Sequence, residues 1–239
     1  MHKYIFFLAG VLMLMPSCRY RHGRHISGNG PTVTEMRNIT GFTGVETRGS
    51  INIIVSQGSY SVKVESDQSL LQYIETVVEN GRLIVRFRND VSIGDYHDAE
   101  VYVSAPELNT FETRGSGNIK GEEKISDKNK ISVIVSASGD IELKLDCPVI
   151  ETKTHGSGGI KLDGESKNIF CEVNASGDVE ASGLKAETAK VSIHGSGNAE
   201  VFASESLDAE IFASGDVHYK GEPKITSSVH GSGEVSKMD

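Results

Sequence analysis

The chain has 239 residues, a formal net charge of −9, 26 glycines and no tryptophan. The mild acidity and the lack of a basic stripe exclude a nucleic-acid binder that works by neutralising phosphates, and the few aromatics exclude a base-stacking platform. Beyond a leader, about 210 residues remain, enough for one elongated domain or two small ones.

Met1-His2-Lys3 is weakly positive, Tyr4 to Met15 is apolar, and Leu14-Met15-Pro16-Ser17-Cys18 comes next. The apolar run has the length of a signal-peptide core and is too short to span a bilayer. A cysteine directly after a small residue at the cleavage point resembles a bacterial lipoprotein signal. Residues 1–17 are therefore expected to be a signal peptide and Cys18 the lipidated first residue of the mature chain; the alternative is an ordinary secretory signal with an incidental cysteine. Lipid on one terminal residue anchors a protein to a membrane without a spanning helix. Residues 18–37 are expected to be a flexible tether. Its Arg19, Arg21 and Arg24 suit lipid head groups, and His22 and His25 read as solvated linker rather than metal ligands.

Residues 38–104 read as a hairpin-rich β section. Gly49 to Val55 is a predicted strand, Gln57-Gly58-Ser59 a turn, and Tyr60 to Val64 the partner of that strand. Thr76-Val77-Val78 and Leu83 to Phe87 flank Asn80-Gly81, the strongest short hairpin signal in the chain. Ser69 to Ile74 has room for one helical turn. Glu100 to Ser104 is a strand stopped by Pro106. This section is expected to cap the open N-terminal end of the repeats behind it.

Residues 105–239 are organised by a phrase that returns seven times, as in Arg114-Gly-Ser-Gly-Asn118, Ser136-Ala-Ser-Gly-Asp140 and His155-Gly-Ser-Gly-Gly159. Its shared glycines are Gly117, Gly139, Gly158, Gly177, Gly197, Gly215 and Gly233, in steps of 22, 19, 19, 20, 18 and 18 residues. Apolar residues fall at even offsets from them, including Val135, Val173 and Ile211 four positions before and Ile119, Ile141 and Ile160 two after. Period two marks strands, and a period near 19 marks a solenoid whose units bury their apolar faces by stacking. The predicted fold is all-β: a parallel β-solenoid, right-handed by general preference, with ~19-residue coils stacked ~4.8 Å apart. Asp140, Asp178 and Asp216 fall on alternate copies. A 19-residue coil holds them about 9–10 Å apart, which limits repulsion; a 38-residue coil with two unlike sides, stacking them directly, is the alternative. Lys237, in a slot that earlier copies fill with Leu143, Leu162 or Val201, blunts the last edge.

With Gly49-Ser50-Ile51-Asn52 in front of the serial Ser-Gly-Asn and Ser-Gly-Asp phrases, Asn38 to Val235 resembles the head GIN domain family of auto-transporter adhesins. That resemblance implies a β-helix-like envelope domain with an adhesive role, common among secreted lipoproteins of Gram-negative gut bacteria, and no catalytic residues. The basic stretch after Cys18 lacks the acidic run that often accompanies surface export, so surface and periplasmic facing both stay open.

Other chemistries are weighed on the residues themselves. Calcium-binding β-rolls carry more oxygens per turn than one aspartate every second copy supplies, so Asp140, Asp178 and Asp216 are expected to brace turns. His155, His194 and His230 share one outward slot with Arg114, about 10 Å apart on alternate coils, which suits a solvated edge better than a zinc ladder or pH sensor. Glycoside hydrolysis needs two carboxylates across a cleft; Asp140 and Asp178 meet the distance, but no long loop rises beside them. Cys147 and Cys171 fall at inward offsets of different slots and read as buried core rather than a disulfide. The expected function is therefore a non-enzymatic adhesin or scaffold without cofactor that binds glycan or an envelope protein, with a carbohydrate-active enzyme or a ligand-free spacer as alternatives.

Overall fold

The computed structural model describes residues 24–97 and 99–238, so Cys18 and the expected leader lie outside the described residues. The first section contains β1 (Arg24–Ile26), β2 (Thr32–Arg37), β3 (Gly44–Arg48), β4 (Asn52–Gln57), β5 (Ser61–Asp67), β6 (Ile74–Glu79), β7 (Arg82–Phe87), β8 (Val91–Ile93) and β9 (Glu100–Ala105). Between β5 and β6 lies one 3-10 turn, Leu71–Tyr73. The repeats supply β10 (Thr110–Thr113), β11 (Ile119–Ser126), β12 (Lys130–Val135), β13 (Ile141–Thr154), β14 (Ile160–Val173), β15 (Val179–Ile193), β16 (Ala199–Ile211), β17 (Val217–Lys220), β18 (Lys224–Val229) and β19 (Val235–Lys237).

These strands form the two facing walls of a parallel β-solenoid. In the first wall β7, β3, β10, β12 and the second half of β13 run parallel, continuing through β14, β15 and β16 to β18. In the second wall β9, β4, β11 and the first half of β13 do the same, continuing to β17 and β19. The Gly-Ser-Gly or Ala-Ser-Gly phrase is the bend from the first wall to the second. Ile141 pairs with Ile160, Ile160 with Val179 and Val179 with Ala199, so one coil is one repeat and the 38-residue coil is ruled out.

Side chains at even offsets form columns through the interior. Val135, Thr154, Val173, Ile193 and Ile211 stack in register and all are fully buried. Beside them runs the column Ile131, Ile150, Ile169, Ala189 and Leu207. Close stacking explains the shared glycine: a Cβ on Gly177 would lie 2.1 Å from the carbonyl oxygen of Gly158 one coil below. That approach is too close for any side chain. The far corner turns at Gly164, whose φ is +119°, and at Gly221, whose φ is +93°.

The first section departs from the coil pattern. β3 and β4 make one coil, and the chain then makes β7 and β9 on its outer side before returning to lay β10 and β11 on its inner side. The phrase at Glu46 and its copy at Glu112 are therefore direct neighbours in space although 66 residues apart. Antiparallel strands finish this end, β6 against β7 and β2–β5 against β9. Asn80 and Gly81, with φ of 51° and 77°, form the two-residue turn of the β6–β7 hairpin.

Two expectations are corrected. The β4 strand does not pair with the segment after Gln57-Gly58-Ser59: β4 already has parallel partners on both edges, β9 and β11, so β5 pairs with β9 and β2 instead. The tether expected over 18–37 is too long. Arg24–Ile26 pairs with Val91–Ile93, and Thr32–Arg37 covers the outer edge of β5, so these residues belong to the folded body and His25 sits in a strand.

Candidate functional site

Three arrangements of chemistry-bearing side chains stand on this scaffold. The first is a ladder on the bend. Asn52 Oδ1 accepts from the N–H of Asn118, and Asn118 Oδ1 from the N–H of Asp140. Asp140 Oδ1 accepts from Gly159 at 2.7 Å, after which Asp178, Asn198 and Asp216 pass the pattern on to Glu234. The aspartates thus brace the next coil rather than their own turn, and the asparagines between them accept the same bond without adding charge. Gly159 interrupts the ladder and leaves a depression of about 410 Å³ between Asp140 and Asp178. Both Oδ1 atoms are committed to backbone donors, a role that positions the coils. Among the described residues, no cluster of three or more metal-ligating side chains occurs.

The second arrangement is the outer surface of the first wall. The outward slot expected to hold spaced histidines also holds Phe212, which stacks on His194 with ring centroids 4.6 Å apart and on His230 at 5.3 Å. The histidines therefore sit on alternate coils, and His194 and His230 are joined by an aromatic ring rather than by solvent. Ser192 and Ser228 hydrogen-bond to Nε2 of His194 and His230 at 3.1 and 3.0 Å. Asn174 approaches His155 Nδ1 at 3.4 Å. Four residues before Asn174, Phe170 is 41% exposed beside a depression of about 350 Å³. Phe212 was legible, since it occupies the histidine slot; Phe170 carried no signal beyond being an aromatic at an outward offset.

The third arrangement was not legible. Glu46 and Glu112 stack in register, and both are buried on this same wall. Arg48 Nε lies 2.5 Å and Arg114 Nε 3.2 Å from Glu46 Oε1, and Arg82 Nη1 lies 3.1 Å from Glu46 Oε2. Glu112 takes Arg114 at 2.6 Å and Arg82 at 2.5 Å, and Ser136 Oγ donates to it at 3.2 Å. The hydrogen bond to Glu112 is the main force holding the Arg114 guanidinium above its ordinary value. Two carboxylates one coil apart repel; three guanidiniums in a fork geometry compensate them. Arg82 lies 30 residues before Glu112, and the coil inserted between the two phrase copies is what brings them together.

Cys147 and Cys171 are buried and unbridged, Cys147 beside Ser166 and Cys171 beside Thr152. Burial pushes the Cys171 thiol up to about 12. No helix of the described residues is long and apolar enough to cross a membrane.

A parallel two-walled solenoid with an antiparallel cap at one end defines the class of protein. Within that class, residues 41–223 match the family described as "Putative auto-transporter adhesin, head GIN domain", and the chain belongs to this family. Solved structures agree on the fold. A "putative adhesin" from Bacteroides fragilis has a TM-score of 0.83 at 20% identity, covering 89% of this chain and 100% of that one. A "putative lipid binding protein" from Parabacteroides distasonis has a TM-score of 0.74 at 27% identity, covering 90% and 100%. A "putative adhesin" from Parabacteroides merdae has a TM-score of 0.68 at 21% identity, with the same coverage. No curated protein matches the chain. Family membership places the chain with adhesin-like proteins of the cell envelope or surface.

Proposed function

We propose that this chain is an envelope-anchored, non-enzymatic adhesin or scaffold that binds glycan, or another envelope component, through the polar outer faces of its solenoid. The observation that carries this reading is the ordering of the outer side chains. Hydrogen-bonding groups recur at fixed positions of the repeat on a backbone whose every coil is bonded to the next, one coil apart in the Asn118–Asp140–Gly159 ladder and two coils apart in the Ser192 and Ser228 contacts to their histidines. Such a face offers many shallow contacts at low ordering cost, which suits an extended polar ligand. Anchoring rests on Cys18 and its signal-like leader, which put lipid at the N-terminus and the outer membrane as the attachment site.

A glycan-array profile of the purified full chain, paired with analysis for released products, tests the function. Binding without turnover is expected. Product release would replace the adhesin with a carbohydrate-active enzyme, and silence on every glycan would replace it with a spacer. Labelled palmitate should be incorporated by the wild-type chain and not by Cys18→Ala; incorporation that survives the substitution would remove the anchoring claim.

A further inference from the structure

The 350 Å³ depression on the outer face of the first wall has the features of a site for one sugar ring. It forms because the small Ser192 stands in an outward slot between larger neighbours. Phe170 from the preceding coil supplies an apolar wall, His194 lies two residues along the strand from Ser192, and Glu172, Lys153 and Lys190 complete the rim. The volume is at the lower end of the range for small-molecule sites, which combine an apolar surface with a few placed polar groups. A pyranose matches that mixture, with an apolar carbon face and a rim of hydroxyls that donate and accept.

Charge narrows the class. Lys153 is paired with Glu172 at 2.7 Å and Lys190 with Asp208 at 3.4 Å, while Glu151, also on the rim, is paired with Lys130 at 3.2 Å. Asn174 donates to the other oxygen of Glu172 at 2.9 Å, so this carboxylate is held in place. Each rim cation already faces a carboxylate, leaving no surplus charge for an acidic sugar. The paired groups retain free donors and acceptors for hydroxyls.

We infer that this depression is the glycan subsite of the solenoid, holding one neutral pyranose against Phe170 with Glu172, Lys190 and Ser192 bonding its hydroxyls. The inference rests on the adhesin reading and names where that ligand sits. The test compares the full chain with Phe170→Ala, with Ser192→Trp, which fills the depression, and with Met36→Ala, an exposed apolar residue of β2 far from it, on one array of neutral and acidic glycans. Circular dichroism checks the fold of each.

Phe170→Ala and Ser192→Trp should each weaken binding of neutral glycans about tenfold, the scale of one lost aromatic contact. Met36→Ala should bind as wild type. Wild-type binding that both variants at the depression retain would overturn the subsite and leave the adhesin reading standing, as would binding confined to acidic glycans. No binding by the wild-type chain would overturn both. If Ser192→Trp fails to fold, Phe170→Ala decides, because its side chain is on the surface.

Discussion

The two ends of the solenoid are finished differently. At the first end β5 and β2 close one wall, β6 closes the other, and Phe42 and Phe111 are fully buried. At the other end the columns stop without a cover among the described residues. Ile225 and Val229 continue the columns of Ile131 and Val135, yet they are 40% and 44% exposed, and Lys237 pairs with Glu222. The contrast shows that a coil's stability comes from its neighbours rather than from its own sequence, as expected for a quasi-one-dimensional array. The same aliphatic slot is core in one coil and surface in the last.

The largest expected effect is at the glycine column. Gly177→Val would drive a side chain into the Gly158 carbonyl 2.1 Å from its Cβ, and because backbone cannot move aside cheaply we expect a loss above about 3 kcal/mol in a denaturant titration. Tolerance of this substitution would mean the coils do not stack this closely. Next is the paired test of one column, Ile169→Ala against Ile225→Ala. The first empties a fully buried site and should cost about 3 kcal/mol, and the second about 1 kcal/mol, since its side chain is already partly hydrated. Equal losses would indicate that something covers the open end in solution.

A smaller effect is expected at the capped end. Glu112→Gln leaves Arg82 and Arg114 facing one carboxylate instead of two; the buried acid raises the cost, and the part-exposed arginines reduce it to about 2 kcal/mol. The smallest effect is pH-dependent. Asp67 accepts from the His97 ring at 2.7 Å and from its N–H at 3.1 Å, and the ring hydrogen bond chiefly lowers the carboxyl below its ordinary 3.8. A lowered carboxyl stabilises the fold above its unfolded-state value, and that stability is lost as pH falls through the folded-state value. Thermal melts should therefore show a steeper loss below about pH 4 for wild type than for Asp67→Asn. Parallel curves would mean that the Asp67–His97 contact does not stabilise the fold.

Much of the solenoid was legible in the chain, because a repeat projects its geometry directly onto sequence. Even offsets gave the inward columns, and the shared glycine marked the bend. The hairpin at Asn80-Gly81 was legible for the same kind of local reason, since its two residues take positive φ without strain. The pairing of β5 was not. A turn after β4 says that a strand comes next, but not that both edges of β4 are already taken by β9 and β11. The wider strand content of 24–37 was hidden because its pairs are mostly exposed, with Met36 at 65%.

The candidate sites divide along the same line. Asp140, Asp178, Asp216 and the histidine slot could be located from the repeat alone, since each recurs at one register position on alternate copies. The Phe170 depression and the Glu46–Glu112 cluster depend on which coils become neighbours. The sequence alone determined the repeat, its period and the direction of each repeated side chain, because those come from alternation and steric limits within one copy; that one repeat makes one coil was decided by the pairing of neighbouring copies. Only the tertiary structure decided that the chain doubles back so that residues 66 positions apart touch, and that among the described residues one end is closed while the other is left open. Contacts between distant segments are chosen by which edges remain unsatisfied, and no local pattern records that.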